Sequence, residues 1–461
     1  MGSGLDNSHD GVKNMRKILS VSYSDLPPHL KTCLLHLSLY PEDYEIETEE
    51  FVWKLVGEGF VKEEKEKSLY EVGADYLDEL INKSLVEPVK FDNENKVSSC
   101  RVHDMVHDLI TSLAKEENFL TTVGCHQPID LQSKIRRLSV QNIIEEVADQ
   151  LPTMSMSHVR SLTVSNPAFS FLPALLGFPV LRVLDLANCK QVDNNHWRDI
   201  CNLFHLRYLS LKGTSITKIP RDIENLRSLQ VMDIRFTFLL EQLPSSFIEL
   251  KQLLLLHMLS SFTSGVPRWM SSMSSLFWLS ITLEKLGEED LQVLGSIPSL
   301  SELKIFVRKP TQGRDKQLVI SSGYPFQCLT RFSVQSDILE LRFAAGAMQS
   351  LRTIWLSFRD VQDTLLQFDD FTLGLENLSS LDNVNVDFYN NDEYKMKIVT
   401  NAIEKETNMH RNKPKLAWIM SLDLKDSLGA IRNARHAAER IQNAFRRYLL
   451  KKKIREAVHA G

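Results

Sequence analysis

The sequence predicts an α/β repeat fold, because one apolar phrase, Leu-x-x-Leu-x-Leu with conservative substitutions, recurs along most of the chain. Successive copies begin 22 to 30 residues apart. That spacing is typical of a leucine-rich-repeat solenoid, in which each unit adds one short strand to a concave sheet and returns along the outside. The eleven copies begin at Ile135, Val159, Leu181, Leu206, Leu229, Leu253, Leu276, Leu300, Leu329, Leu351 and Leu381.

Charge and composition divide the chain around this repeat array. We predict a linker over residues 1–23, a winged-helix domain over 24–125, a leucine-rich-repeat domain over 130–420 and a basic helical tail over 425–461. A chain of 461 residues with 43% hydrophobic residues can bury a large core, which excludes disorder over most of its length. Residues 429–461 carry nine Lys/Arg against two Glu, a net charge of +7. Because the whole chain carries -5, the remaining residues carry -12. This asymmetry marks the tail as a separate functional segment.

Several classes of protein are excluded by motifs that the sequence lacks. The first 15 residues are polar, and the most apolar run, 253–259, is too short to span a bilayer. Six cysteines without a C-x-x-C pair fit reduced thiols better than a disulfide or zinc framework. No G-x-S-x-G elbow and no partnered cysteine is present. We therefore expect a cytoplasmic or nuclear protein that is not an enzyme and has no transmembrane segment and no metal site.

The winged-helix prediction rests on helix-start signals and apolar spacing within residues 24–125. The expected elements are a helix after a capping Asp25, a helix capped by Thr48, a helix opened by a Ser68/Glu71 capping box, extended runs over 85–89 and 97–102, and a helix from Asp104. Winged helices often bind DNA, but residues 24–110 hold 20 Asp/Glu against 9 Lys/Arg. Groove binding needs cations to replace the counterions of phosphate, so we expect no DNA partner.

Three stretches of this region resemble the winged-helix part of plant nucleotide-binding leucine-rich-repeat disease resistance proteins. They are Leu26-Pro-Pro-His-Leu-Lys-Thr-Cys-Leu-Leu-His-Leu-Ser-Leu-Tyr-Pro-Glu-Asp-Tyr44, Glu58-Gly-Phe60 and Val102-His-Asp-Met-Val-His-Asp108. The order of a winged helix before leucine-rich repeats is also that of the family, and the resemblance covers residues 12 to about 420. It implies the C-terminal portion of an intracellular immune receptor.

The resemblance also implies a role for His103. In the family, the His of a Met-His-Asp motif contacts the phosphates of an adenine nucleotide, and the matching residues here are Val102, His103 and Asp104, with Val in place of Met. The alternative is that Asp104 caps its helix and His103 ends the preceding strand. No G-x-x-x-x-G-K-[ST] phosphate loop occurs in the sequence. We therefore expect no cofactor in this chain, and ADP or ATP only where a nucleotide-binding domain is also present.

Strand alternation predicts which repeat residues point into the core and which face a partner. The inward pairs are Leu184 and Leu186, Leu209 and Leu211, Met232 and Ile234, and Leu279 and Ile281. The outward residues predicted to form a protein-binding surface are Tyr208, Asp233, His257, Trp278, Lys304 and Trp355. Two long steps between copies predict loop inserts around 308–324 and 360–371.

The tail predicts a basic amphipathic helix, because apolar residues recur at helical spacing among Arg and Lys. Part of it resembles the calmodulin-binding IQ motif, with Arg447 where Gly is usual. The candidate contacts are Ile441, Gln442, Phe445, Arg446, Lys451 and Ile454. A helix docked on the last repeat, or one lying on a membrane surface, is the alternative.

The leading hypothesis is a plant immune-receptor fragment whose repeats recognise a pathogen or host protein. A calmodulin-linked repeat adaptor is the second hypothesis. A switch between ADP and ATP is the third, and it needs a phosphate loop from outside this sequence.

Overall fold

The computed structural model describes residues 18–420, except positions 93 and 95 and the ranges 125–133, 142–150, 152–153, 166–167, 238–242, 263–264, 309–317, 337–340, 359–371 and 389–392. The predicted tail therefore lies outside the described residues. Residues 18–24, at the end of the predicted linker, are helical. No described helix is both long enough and apolar enough to cross a membrane.

A helical unit with a small antiparallel sheet precedes the repeats, as the sequence predicts for a winged helix. Its helices are α1 (Pro28–His36), α2 (Thr48–Glu58), α3 (Leu69–Asn82) and α4 (Asp104–Glu116), with a 3-10 turn at Leu37–Leu39. Its strands are β1 (Ile46–Glu47), β2 (Glu87–Phe91) and β3 (Val97–Arg101), paired in the order β1-β3-β2. The Ser68/Glu71 capping box is present at the start of α3 and satisfies two backbone donors there.

At three helix starts the N-cap residue differs from the predicted one. The α1 helix begins after Pro27 and has no side-chain cap, so Asp25 lies in the turn before it. Glu47 is the N-cap residue of α2, which makes Thr48 the first helical residue. His103 is the N-cap residue of α4, and its Nδ1 accepts a hydrogen bond from the Met105 N–H at 3.4 Å. The prediction that Asp104 caps this helix is therefore wrong, because the preceding side chain takes that role.

The repeats form one parallel sheet of thirteen described strands, which lie side by side in chain order. The strands are β4 (Thr121–Val123), β5 (Arg137–Val140), β6 (Ser161–Val164), β7 (Val183–Asp185), β8 (Tyr208–Ser210), β9 (Val231–Asp233), β10 (Leu255–Phe262), β11 (Trp278–Leu283), β12 (Glu302–Val307), β14 (Arg331–Ser336), β16 (Thr353–Phe358), β17 (Asn383–Phe388) and β18 (Lys415–Met420). Every predicted repeat start lies two residues before one of these strands, which confirms the predicted solenoid.

The return segments hold helices, most of which are short. They are 3-10 helices at Ala168–Phe171, Leu175–Gly177, Asn194–His196, Arg221–Asn225, Ser245–Glu249, Arg268–Ser272 and Leu375–Asn377, and α-helices α5 (Trp197–Ile200), α6 (Glu288–Gly295) and α7 (Glu393–Met409). Pro220, Pro244 and Pro267 are extended and directly precede three of the 3-10 helices. Proline suits this place because its missing N–H is not needed there.

The inward strand residues form a continuous apolar core along the solenoid. All eight residues predicted to point inward, from Leu184 to Ile281, are fully buried. The first predicted insert is not wholly a loop, because β13 (Leu318–Ile320) lies within it and pairs in parallel with β15 (Leu341–Phe343). The second, 360–371, falls outside the described residues.

Candidate functional site

The winged helix packs against the outer face of the sheet, the face that points away from the repeat core. The first residue of each strand from β7 to β11 is apolar and lies in the same hydrophobic cluster as α1 to α4. This set, which we call the docking stripe, comprises Val183, Tyr208, Val231, Leu255 and Trp278. The most exposed member, Trp278, has only 9% of its surface accessible to solvent, so the winged helix covers the stripe.

The α2 helix approaches the sheet most closely. A Cβ atom added at Gly57 would lie 2.5 Å from the Cβ of Tyr208, so α2 and β8 would have to move apart to accommodate it. Glycine therefore permits the backbone of α2 to lie directly on β8.

An aromatic cluster anchors the other end of the stripe. The Trp278 ring lies 6.2 Å from the ring of Trp53 in α2 and 5.2 Å from the ring of Tyr70 in α3, both near-perpendicular. The His257 ring contacts Trp278 at 5.7 Å in the same orientation. Edge-to-face pairs of this kind add about 1 kcal/mol each to the free energy gained from burying the rings.

Ion pairs surround the apolar contacts. Lys54 Nζ in α2 lies 2.6 Å from Asp185 Oδ2, and both side chains are almost fully buried. Burial lowers the pKa of Lys54, but the charge and hydrogen bond of Asp185, together with Tyr40 and Glu50, outweigh it and hold the pKa above its usual value. Glu50 pairs with Lys212 and, at 3.0 Å, with Arg235. Removing one partner of a buried pair leaves an uncompensated charge, so these contacts fix the register of α2 on the strands.

The C-terminal end of α2 is held by Glu58. Its Oε2 lies 3.2 Å from Arg137 Nε in β5, and its Oε1 lies 3.4 Å from His36 Nε2 in α1. Burial raises the pKa of Glu58, but the hydrogen bond to His36 and the charge of Arg137 outweigh it and hold the pKa at about 2. The Arg137 guanidinium also lies over the rings of Phe60 and Phe119, at 4.7 and 4.3 Å.

The hairpin between β2 and β3 makes a separate contact farther along the sheet. Glu94 Oε2 lies 2.6 Å from Arg331 Nη2 in β14, and Thr353 Oγ1 in β16 donates a hydrogen bond to Glu94 Oε1 at 2.9 Å. The winged helix thus contacts strands from β5 to β16, and its described contacts beyond β12 are made by this hairpin.

Glu302, in β12, is a buried carboxyl beside this contact. Burial raises its pKa to about 7, although Arg331, 3.8 Å away, acts in the opposite direction. The charges of Glu49 and Glu94 contribute to this raised value. A carboxyl with a raised pKa in the folded state costs stability as the pH rises from its ordinary pKa of 4.5 to about 7, because only the unfolded chain releases its proton freely.

We expect the Glu302→Gln variant to be more stable than the parent at pH 8 and to lose most of that advantage at pH 5. The gain in unfolding free energy at pH 8 is at most about 3 kcal/mol, because a pKa shift is worth roughly 1.4 kcal/mol per unit. The lost attraction to Arg331 reduces this gain. Urea unfolding at the two pH values measures the difference. Burial, followed by the charge of Arg235, holds the pKa of His257 well below its usual value. His257 therefore lowers the stability of the folded protein below pH 6.5, but it does so equally in the parent and the variant. The exposed Glu224→Gln is the control, and an equal advantage at both pH values would contradict the assignment.

The structure separates the six residues predicted to form the protein-binding surface. All six lie on the outer face of the sheet, at alternate strand positions, but Tyr208, Asp233, His257 and Trp278 are buried in the contact with the winged helix. The expectation that these four are open to a partner is corrected by this packing. Lys304 is exposed and Trp355 is half-buried. Their binding to a partner stays a prediction, as does that of the four covered residues.

His103 is exposed at the start of α4. The second histidine of the same motif, His107, lies with its Nε2 2.9 Å from the carbonyl oxygen of Tyr40 and thereby contacts the residue that follows the 3-10 turn at Leu37–Leu39. The predicted role of His103 toward a nucleotide stays a prediction. The candidate calmodulin contacts, from Ile441 to Ile454, lie outside the described residues.

The docking stripe is the functional feature that sequence reasoning missed, and a signal for it was present. A repeat face open to water should carry polar residues at outward positions, yet the first outward position is apolar in five consecutive repeats. The second outward position is polar in each, from Asp185 to Ser280. An unbroken apolar row on a solvent face indicates a contact surface.

The fold and the docking stripe define a leucine-rich-repeat protein that carries a winged helix on the outer face of its sheet. A leucine-rich repeat region profile matches residues 158–264 and 257–416, together more than half of the chain, and a disease resistance protein winged helix domain profile matches residues 39–110. The chain belongs to the family of plant disease resistance proteins with winged-helix and leucine-rich-repeat domains.

Similar proteins are found in rice and Arabidopsis. Disease resistance protein Pik-2 of Oryza sativa subsp. japonica is 36% identical over 251 residues, which are 53% of this chain and 24% of the rice protein. Disease resistance protein RGA5 of the same rice is 29% identical over 72% of this chain and 30% of its own length. Probable disease resistance protein RXW24L of Arabidopsis thaliana is 28% identical over 71% and 35%. The chain thus spans about a quarter to a third of the curated relatives it matches.

Proposed function

We propose that this chain is the sensing part of an intracellular plant immune receptor, in which the repeats recognise a pathogen or host protein. The observation that supports the proposal most strongly is the division of the sheet's outer face. Its first half holds the winged helix through the docking stripe and the buried Lys54–Asp185 pair. Its second half leaves Lys304 exposed and Trp355 half-buried. One face thus offers both a fixed internal contact and a surface for an external partner.

Glu94 contacts the second half directly, through Arg331 of β14 and Thr353 of β16. Thr353, which donates to Glu94, lies in the same strand as Trp355 and two residues before it, and both face outward. A protein bound over Lys304 and Trp355 would therefore lie beside the hairpin and would compete with its hold on Arg331. Competition of this kind couples partner binding to the position of the winged helix, because both depend on the same few contacts.

The test is a binding screen of the 461-residue chain against proteins secreted by a plant pathogen. We expect at least one to be retained, with affinity at least tenfold weaker for Trp355→Glu. The control is Arg221→Glu, which places the same carboxylate on an exposed return segment. Binding that responds equally to the two substitutions, or that ignores Trp355, would overturn the proposed surface.

We further propose that the protein acts without enzymatic activity, in the cytoplasm or nucleus, and that these 461 residues hold no nucleotide on their own. The sequence lacks a phosphate loop, whose backbone N–H groups and Lys would cradle the phosphates. Calorimetric titration with ADP should give no heat of binding at micromolar protein. Stoichiometric micromolar binding, weakened by His103→Ala, would contradict this and would support a nucleotide role for His103.

The IQ-like tail supports a second proposal, that calmodulin binds residues 430–458. An amphipathic helix needs apolar anchors on one stripe and, for an acidic partner, surrounding cations. Ile441 and Phe445 supply anchors, and Arg446 and Lys451 supply charge. We expect retention by calmodulin to persist when calcium is chelated and to fall in the Ile441→Ala/Gln442→Ala double variant.

A pull-down of the tail peptide with and without calcium measures this. Unchanged retention of the double variant, or binding of the peptide only to anionic vesicles, would favour a membrane-surface helix instead.

A further inference from the structure

A cavity of about 350 Å³ opens at the edge of the sheet where the first repeat strands begin. Its described lining is strongly basic. The lining residues are Lys134, Arg136, His158, Arg160, Val180, Arg182 and His205. With the histidines neutral, the four Lys and Arg side chains carry a charge of +4, and no described lining residue is acidic.

The three arginines of this lining occupy the same position in neighbouring repeats. Arg136, Arg160 and Arg182 immediately precede β5, β6 and β7, whose first residues are paired across the sheet. The Arg160 N–H donates to the Arg136 carbonyl, and the Arg182 N–H donates to the Arg160 carbonyl, each at 2.7 Å. Neighbouring strands lie about 4.8 Å apart, so the backbone sets the three arginines side by side at about that spacing.

The second row lies two residues earlier in each repeat. Lys134, His158 and His205 occupy this position in three of the four repeats that line the cavity, and Val180 occupies it in the other. Each is separated from the first row by a buried repeat-start residue, such as Val159. Residues on either side of a buried position both point outward, so the two rows face the same space.

The cations of the cavity are not neutralised by the described part of the protein. Arg136, Arg160 and Arg182 form no ion pair with a described residue, whereas Arg137 and Arg331 do. Like charges at neighbouring strand positions repel one another, and the repulsion is relieved when an anion binds between them. A fixed row of unpaired arginines is therefore arranged for an anion from outside the described chain.

We propose that this cavity binds a compact anion that carries several phosphate groups. Arginine offers paired N–H donors that match two phosphate oxygens, and stacked arginines can serve successive phosphates. The row is short, because after Arg207 in the next repeat the same position holds Gln230 and then Leu254, which carry no charge. A short row in a small cavity fits a small polyphosphate better than a nucleic acid.

The charge of the neighbouring domain argues in the same direction. Residues 24–110 carry 20 Asp/Glu against 9 Lys/Arg, and such a field repels a long polyanion that extends beyond the cavity. The site is distinct from the proposed partner surface, which begins at Lys304 in β12, in the other half of the sheet. Failure of one proposal therefore leaves the other standing.

The probe is inorganic tripolyphosphate, titrated into the full chain by calorimetry at 50 and 200 mM salt. We expect one site per chain, weaker binding at the higher salt, and at least tenfold weaker binding in the Arg160→Gln/Arg182→Gln variant. The control is Arg198→Gln/Arg221→Gln, which removes the same charge from exposed positions on the return segments. The control should bind as the parent does, and the anion-free thermal midpoint of the cavity variant should not fall.

Four results would overturn the proposal. They are equal affinity of parent and cavity variant, equal weakening of cavity and control variants, equal affinity for orthophosphate and tripolyphosphate, and binding of a single-stranded oligonucleotide that is tighter than that of tripolyphosphate and is weakened by Arg160→Gln/Arg182→Gln. The last result would assign the cavity to nucleic acid.

Discussion

Leu209→Asp is expected to unfold several neighbouring repeats. Leu209 is fully buried in β8, paired on one side with Leu184 of β7 and on the other with Met232 of β9. A carboxylate there has no partner in the apolar core and no access to water. Because repeats are stabilised chiefly by their neighbours, the loss spreads to both sides, and we expect a cost of about 4 kcal/mol or more.

Thermal unfolding and hydrogen exchange of β7 to β9 measure this effect. Lys218→Asp is the control, since Lys218 is exposed in the segment that follows β8. A similar loss of stability from both substitutions would mean that Leu209 does not face the core. Lys212 would be a poor control despite its outward position, because it pairs with Glu50.

The sequence carries the repeat architecture almost completely, for a physical reason. Each repeat is specified locally. Leu206, Leu209 and Leu211 lie within six residues and are fully buried, and the matching residues of the other repeats bury the same stripe. The two end strands were missed because β4 and β18 do not continue the eleven-copy phrase. End strands have only one neighbour and a less regular pattern.

Helix caps were predicted less well, because several side chains near a helix start can serve. Ser68 and Glu71 satisfy each other within one turn, which is a wholly local arrangement, and this cap was predicted correctly. At α4 the predicted cap was Asp104, but the side chain one residue earlier, His103, accepts the hydrogen bond. Choices between adjacent residues depend on backbone angles that the sequence pattern does not determine.

The docking of the winged helix depends on contacts between residues far apart in the chain. Lys54 meets Asp185 across 131 residues, and Glu94 meets Thr353 across 259. Neither partner lies in a motif that points to the other. The apolar row from Val183 to Trp278 indicates that something covers the sheet, but only the three-dimensional arrangement identifies the cover as α2 and α3.

Trp278→Ala is expected to loosen the winged helix from the repeats without unfolding them. Trp278 is 9% exposed and contacts Trp53, Tyr70 and His257, so its removal leaves a cavity at the centre of the aromatic cluster. Replacing a buried tryptophan by alanine costs about 3 to 5 kcal/mol. The next residue, Leu279, still points into the repeat core and is untouched.

Hydrogen exchange resolves the two domains in this experiment. Protection should fall in α2 and α3 and stay close to that of the parent in β10 to β12. Trp355→Ala is the matched control, because Trp355 also faces outward from the sheet but lies outside the cluster that contains the winged helix. Its loss should leave α2 protected, since the hairpin contact through Glu94 uses other side chains. Equal loss of α2 protection in both variants, or none in Trp278→Ala, would show that the docking stripe does not hold the winged helix.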